Sequence, residues 1–231
     1  MNTFLKSSNM KYKTCVSIAE QTPRRLKQVV KKALKKSDYV ELRLDFLKPE
    51  NVPEALELVK KDLKRSVCTL RPKSEGGKFS GNEKERIAIL KLIAEYNPFL
   101  LDVEFNSLKK NKSLFNYLKK TKTSLLVSWH DFKKTPQISV LNKMLEQMAK
   151  FSENVKIVTN AKGVEDPAHV LALYARVSRI KLIAFAMGDY GRISRILSLY
   201  LGSPFTYVSL GKAIAPGQFS LAEIKAIVGR N

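Results

Sequence analysis

Eight short apolar runs, each followed by an amphipathic helical pattern, succeed one another along the chain, and no other feature limits its fold as severely. The runs fall near 14–18, 39–45, 66–71, 99–104, 124–128, 155–158, 182–187 and 205–208. The stripes behind them recur at three- and four-residue steps, as in Leu26, Val29, Val30, Ala33 and Leu34, or Leu141, Met144, Leu145 and Met148. Thr22-Pro23 and Thr135-Pro136 read as helix starts, with Thr as cap and Pro at the first helical position. Asn82 with Glu85 reads as a capping box, and weaker helical patterns lie over 53–61 and 108–118. Strict alternation of strand and helix implies an α/β fold with a parallel sheet. Eight units in 231 residues, near the ~250 typical of the class, favour a closed (β/α)₈ barrel over an open doubly wound sheet. No linker or composition break divides the chain, so a single domain over 1–231 is expected.

Charge suggests a different idea at first. Lys+Arg number 42 against 21 Asp+Glu, a net +21, which invites a nucleic-acid-binding reading. The 44% hydrophobic content excludes a disordered basic tail. No apolar run approaches the ~20 residues needed to span a bilayer. Met1–Lys13 is polar and lacks the apolar stretch of a signal peptide. The two cysteines, Cys15 and Cys68, sit in apolar runs and read as buried thiols in a reducing cytoplasm. The densest basic runs are Lys31-Lys32 with Lys35-Lys36, Lys60-Lys61 with Lys64-Arg65, and Lys119-Lys120 with Lys122. Each ends a helical pattern just before a strand, which in a barrel is the face opposite the catalytic mouth. There a cation complements a helix C-terminus by ~0.3–1 kcal/mol. No zinc-ligand spacing, helix-turn-helix signal or aromatic RNA-binding strand accompanies the charge, so no specific nucleic-acid partner is expected.

Strand parity then locates the chemistry. In Val40-Glu41-Leu42-Arg43-Leu44-Asp45 the apolar set must face the helices, which turns Glu41, Arg43 and Asp45 inward. The same logic turns inward Thr69 and Arg71, then Asp102 and Glu104, then Ser128 and His130, then Lys156. Any one of these has a structural reading as an ion pair or a snorkelling lysine. An acid, several cations, a His and a Lys on one face, near the carboxyl ends of their strands, point to an enzyme. A Lys among Val and Ile, near Arg43 and Arg71, favours a neutral amine able to form an imine with a carbonyl. A neighbouring His can move the proton that the imine acidifies. The arginines suit an anionic, oxygen-rich substrate. The residues alone therefore reach imine-forming lyase chemistry on a carboxylated, hydroxylated carbonyl compound.

These segments, in order, resemble the type I 3-dehydroquinate dehydratases. The resemblance rests on Glu41-Leu42-Arg43-Leu44-Asp45, Thr69-Leu70-Arg71-Pro72-Lys73-Ser74-Glu75-Gly76-Gly77 and Asp102-Val103-Glu104. It continues through Ser128-Trp129-His130-Asp131-Phe132, Val155-Lys156-Ile157, Met187-Gly188, Gly191-Arg192-Ile193-Ser194-Arg195 and Ala215-Pro216-Gly217-Gln218. It implies a barrel that needs no metal or organic cofactor, and a homodimer. It implies an imine between Lys156 and the C3 ketone of 3-dehydroquinate, with His130 moving protons and Glu75 beside it. It further implies substrate contacts from Ser17, Glu41, Arg43 and Arg71, a carboxylate anchor in Arg195, and Gln218 on a closing loop. Many members carry Ser where this chain has Ile214, so one hydroxyl contact is missing. Lys162, Lys212 and His169 read as surface or packing residues. A Schiff-base aldolase on the same barrel is the competing enzyme reading; the His-Asp-Phe segment and the Arg195/Gln218 pair favour dehydration of a cyclic carboxylate.

Overall fold

All eight apolar runs form strands. They are β1 (Thr14–Ile18), β2 (Tyr39–Arg43), β3 (Ser66–Thr69), β4 (Leu100–Glu104), β5 (Leu125–His130), β6 (Asn154–Asn160), β7 (Lys181–Met187) and β8 (Thr206–Val208). The computed structural model describes residues 12–177 and 179–229, so most of the Met1–Lys13 stretch lies outside the described residues. The strands pair in parallel in the order β7-β6-β5-β4-β3-β2-β1-β8. This is a nearly closed barrel with one seam, between β7 and β8.

The helices are α1 (Pro23–Leu34), α2 (Val52–Leu58), α3 (Glu83–Glu95), α4 (Phe105–Lys110), α5 (Lys112–Leu118), α6 (Ile138–Ala149), α7 (Asp166–Leu171), α8 (Ser194–Tyr200) and α9 (Leu221–Ile227). Helix α8 stitches the seam: Ser194 Oγ accepts from the Ala186 amide at 2.9 Å, and Thr206 Oγ1 donates to the Arg195 carbonyl at 3.2 Å. Thr22 caps α1 and Asn82 caps α3, as their sequence signals predict. Elsewhere local chemistry departs from the pattern. Thr135 caps nothing; its hydroxyl bonds Thr159 and the Asn160 carbonyl, and α6 starts after Gln137. The 108–118 pattern is two helices, because Asn111 leaves helical geometry and its side chain accepts from the Leu114 amide. Ser220 and Glu223 form a capping box on α9 that the pattern reading passed over.

Parity works as expected. Val40, Leu42, Leu44, Leu101, Val103, Val127, Val155 and Ile157 all lie in the outer core, between sheet and helices. A second, smaller cluster fills the barrel itself, with Cys15, Val67, Leu126, Ile183, Phe185, Phe205 and Tyr207 among its members. That apolar plug is the floor on which the charged layer stands. The basic underside also has a structural use. Arg65 donates to the Leu34, Ser37 and Asp38 carbonyls at the end of α1, and Lys64 to the Asn97 carbonyl. These cations take up orphan carbonyls that the helix ends leave free.

Candidate active site

One cavity of about 310 Å³ opens at the carboxyl ends of the strands, within the range of small-molecule sites. It is lined by all nine residues singled out in the sequence: Ser17, Glu41, Arg43, Arg71, Glu75, His130, Lys156, Arg195 and Gln218. Lys162 and Lys212 are exposed elsewhere, and His169 is half-buried on α7. Register explains the convergence. Ser17 pairs with Glu41, Arg43 with Thr69, Thr69 with Asp102, Glu104 with Ser128, and Ser128 with Lys156. Adjacent inward positions in a parallel sheet thus become layers across the barrel.

The four inward cations are not alike. Arg43 is already paired, with two 2.8 Å bonds to Asp45. Asp45 itself leaves the strand for a short 3₁₀ turn, so it braces Arg43 instead of lining the cavity. Arg71 is almost fully committed: Nη2 donates to Asp102 at 2.6 Å, and Nη1 to Glu104 at 2.8 Å and Ser128 at 2.7 Å. Burial alone would lower its pKa, but Asp102 and Glu104 more than offset this and raise it. Lys156 Nζ lies 3.3 Å from Asp102 Oδ2 and 3.7 Å from Glu41 Oε1. Its nearest charged neighbours are therefore carboxylates, not the like charges expected from the sequence. Against the effect of burial, Arg71 and Lys156 hold Asp102 below the usual carboxylate range, so it serves the amine as a counter-ion.

Arg195 differs from the other three. It is 1% exposed, and among the described residues no carboxylate pairs with it. Its guanidinium rests on the Phe185 ring at 4.1 Å and donates to the Pro216 carbonyl at 3.0 Å, while Nε has no partner. Burial, helped by nearby Arg192, pulls it down to about 9. A buried cation without an anion is costly unless a ligand supplies one. The cavity thus contains a buried cation open to an anionic group.

His130 Nδ1 sits 3.2 Å from Glu75 Oε2, which leaves Nε2 as the free ring nitrogen. Burial, then Arg71, Lys156 and Arg43, hold the imidazole well below its usual pKa, which favours the uncharged ring. Burial also lifts Glu75 to about 7, against the pull of Arg71. The Glu-Gly-Gly turn is needed here. Gly76 adopts φ 73°, and a Cβ on it would meet the Phe132 ring at 2.3 Å, the ring that stacks beside His130. Over the mouth, Gln218 donates to Ser17 Oγ at 3.3 Å, and Ser17 donates to Glu41 Oε2 at 2.8 Å. Ile214 keeps only a backbone role, its amide donating to Gln218 Oε1 at 3.0 Å.

Sequence reasoning left out Tyr207 and Arg86. Tyr207 lines the cavity beneath Lys156, and Arg86, 1% exposed on α3, reaches Glu104 at 2.6 Å. Among the described residues no cluster of three or more His, Cys, Asp or Glu side chains is arranged to hold a metal ion.

The chain is 36% identical to a 3-dehydroquinate dehydratase of Methanococcus maripaludis over 93% of this chain and 97% of that one. The solved 3-dehydroquinate dehydratase of Geobacillus kaustophilus superposes with a TM-score of 0.85 at 23% identity, over 94% of this chain and 90% of that one; it bears on the fold. The type I enzyme of Clostridium difficile, solved with covalently modified comenic acid, gives a TM-score of 0.83 at 25% identity, over 94% and 91%. The family profile described as type I 3-dehydroquinase matches residues 14–229, and the chain belongs to that family of hydro-lyases.

Proposed function

We propose that the chain converts 3-dehydroquinate to 3-dehydroshikimate through a Schiff base on Lys156, with His130 carrying the protons. The lysine lone pair attacks the C3 carbonyl carbon, and the carbonyl oxygen leaves as water, giving a protonated imine. That cation acidifies C2–H. His130 Nε2 takes the C2 proton, and the resulting enamine expels the C1 hydroxyl, which His130 protonates so that it leaves as water. Hydrolysis of the imine returns the lysine and the C3 ketone. Arg195 holds the substrate carboxylate. Glu41, Arg43, Arg71 and Ser17 position the ring, and Gln218 closes the loop over it. With no hydroxyl at Ile214, the contacts on that side fall to Ser17 and Gln218. The observation that carries this reading is the meeting, in one cavity, of an amine, a neutral imidazole and a buried guanidinium with no anion of its own.

The test is reductive trapping. Borohydride added with 3-dehydroquinate is expected to leave a reduced adduct on Lys156, located by mass spectrometry. Lys156→Met loses both adduct and turnover. No adduct, or one on another lysine, overturns the mechanism.

The reading extends to a single catalytic domain acting as a homodimer in a reducing cytoplasm. The free, buried Cys15 and Cys68 fit that compartment. No helix among the described residues is long and apolar enough to cross a membrane. For the dimer the support is the outer face of α8. Ile193, Leu197, Tyr200 and Leu201 are 41–51% exposed there, and the one charge between 193 and 201, Arg195, points inward. On a chain of net +21, two copies meet with least repulsion at such a face. Light scattering should give twice the chain mass, and Leu197→Glu with Tyr200→Glu should halve it. A monomeric parent overturns the proposal.

A further inference from the structure

We propose that Tyr207 acts as a positioning residue that favours the cationic form of the Lys156 nitrogen through the face of its ring; this rests on the Schiff-base reading above. The ring lies beneath the amine, its centroid 4.2 Å from Nζ. Tyr207 is 4% exposed and packs edge-on against Phe205, with centroids 5.4 Å apart at 81°, so the ring is held in place. Its hydroxyl is buried without a hydrogen-bond partner. The phenol oxygen therefore takes no part in the cavity's hydrogen-bond network, and the ring face is what the site uses.

The chemistry at nitrogen explains why a ring is useful there. An ammonium carries three N–H groups and can satisfy Asp102 and Glu41 together, which lie at 3.3 and 3.7 Å. A protonated imine keeps the positive charge but only one N–H. Imine formation thus strips the nitrogen of the donors that held it to the carboxylates. Attraction to an aromatic face depends on charge and needs no proton, so it survives the change. Tyr207 is the neighbour of Nζ that holds the iminium as it held the ammonium. A nitrogen that stays charged keeps C2–H acidic enough for His130.

The experiment varies the ring while keeping its shape. Tyr207→Phe retains the face and removes only the orphan hydroxyl, so kcat should stay within about threefold of the parent, given that the contact is to the face and not to the hydroxyl. Replacing position 207 with phenylalanines carrying one, two and three fluorines drains the ring face stepwise, and kcat should fall with each step while KM changes little. Tyr207→Leu should lose roughly 10- to 30-fold in kcat, about 1.4–2 kcal/mol at ~1.36 kcal/mol per factor of ten. In the fluorinated and leucine variants the alkaline limb of kcat should move to lower pH, because a less stabilised iminium gives up its proton sooner. Loss of packing alone would lower kcat at every pH and leave the limb in place. The other groups facing the nitrogen stay the same in all variants: Glu41 and Arg43 from β2, Arg71 after β3, Asp102 and Glu104 from β4, His130 from β5, Cys15 from β1, and Arg195 from α8. A moved limb is thus attributable to the ring. A flat fluorination series, or a Phe variant as impaired as Leu, overturns the proposal; the fluorinated series decides even if Tyr207→Leu fails to fold. Trapping on Lys156 of the parent separates the two readings: without it the Schiff base and this inference both fall, and with it a flat series removes Tyr207 alone.

Discussion

His130→Ala is expected to lower kcat by about 10²- to 10⁴-fold while borohydride still traps substrate on Lys156. The two halves of that result come from the geometry. Lys156 Nζ is held by Asp102 and Glu41, so the lysine keeps its place when the imidazole is removed. Abstraction at C2 does, because His130 offers the one neutral ring nitrogen in the cavity. The pair also sets a pH dependence. Glu75 is raised to about 7, so above that value its carboxylate accepts from Nδ1–H and makes Nε2 a stronger base. The rate of proton abstraction should therefore rise as pH increases through about 7. Glu75→Gln should flatten that rise. Full turnover by His130→Ala, or a rate that falls as pH rises through this range, would refute the assignment.

The second large effect is on stability. Arg71→Leu should destabilise the fold by about 3–5 kcal/mol in chemical denaturation, the range for leaving buried charge unpaired. Asp102 and Glu104 are 0% and 1% exposed, and Arg71 bonds both. Without it, Asp102 keeps Ser128 and Lys156, and Glu104 keeps Arg86, so each carboxylate is only partly compensated. Arg71→Lys should recover little, since one ammonium cannot fork to two carboxylates and a hydroxyl. A loss below ~1 kcal/mol, the level of a surface pair, would show that the buried layer does not depend on Arg71.

Most of the barrel was legible because strand parity is a rigid constraint. Once Val40, Leu42 and Leu44 face the helices, Glu41 and Arg43 have nowhere to go but inward. The same rule brought Arg71, His130 and Lys156 to the cavity of Glu41 and Arg43, whereas Ser17, Glu75, Arg195 and Gln218 came from the family resemblance. What parity cannot give is the partner across the barrel. It placed Arg71 and Lys156 on one face without saying what pairs with each, because Asp102 and Glu104 arrive from another strand. The like-charge neighbourhood expected for Lys156 failed for this reason. Arg86 left a readable trace: it shares the buried face of α3 with Leu90 and Ile93, a charge inside an apolar stripe. Tyr207 left less, since an aromatic residue in a short β-like run is ordinary core material. Thr135 shows the limit of local signals, being a good cap residue whose side chain answers instead to Thr159 and the Asn160 carbonyl.

The seam between β7 and β8 bears on how the enzyme comes into being. Gln218 meets Ser17 across 201 residues of sequence, and β8 pairs with β1, so the barrel's first strand waits for its eighth. Lys156 and His130 precede that closure in the sequence, whereas Arg195, Tyr207 and Gln218 all lie in the stretch that completes the barrel. A polypeptide interrupted before α8 holds Lys156 and His130 without the unpaired Arg195 guanidinium or the Gln218–Ser17 contact over the mouth. The cavity, lined from β1 to the segment after β8, is therefore a property of the closed barrel that no shorter piece of it holds.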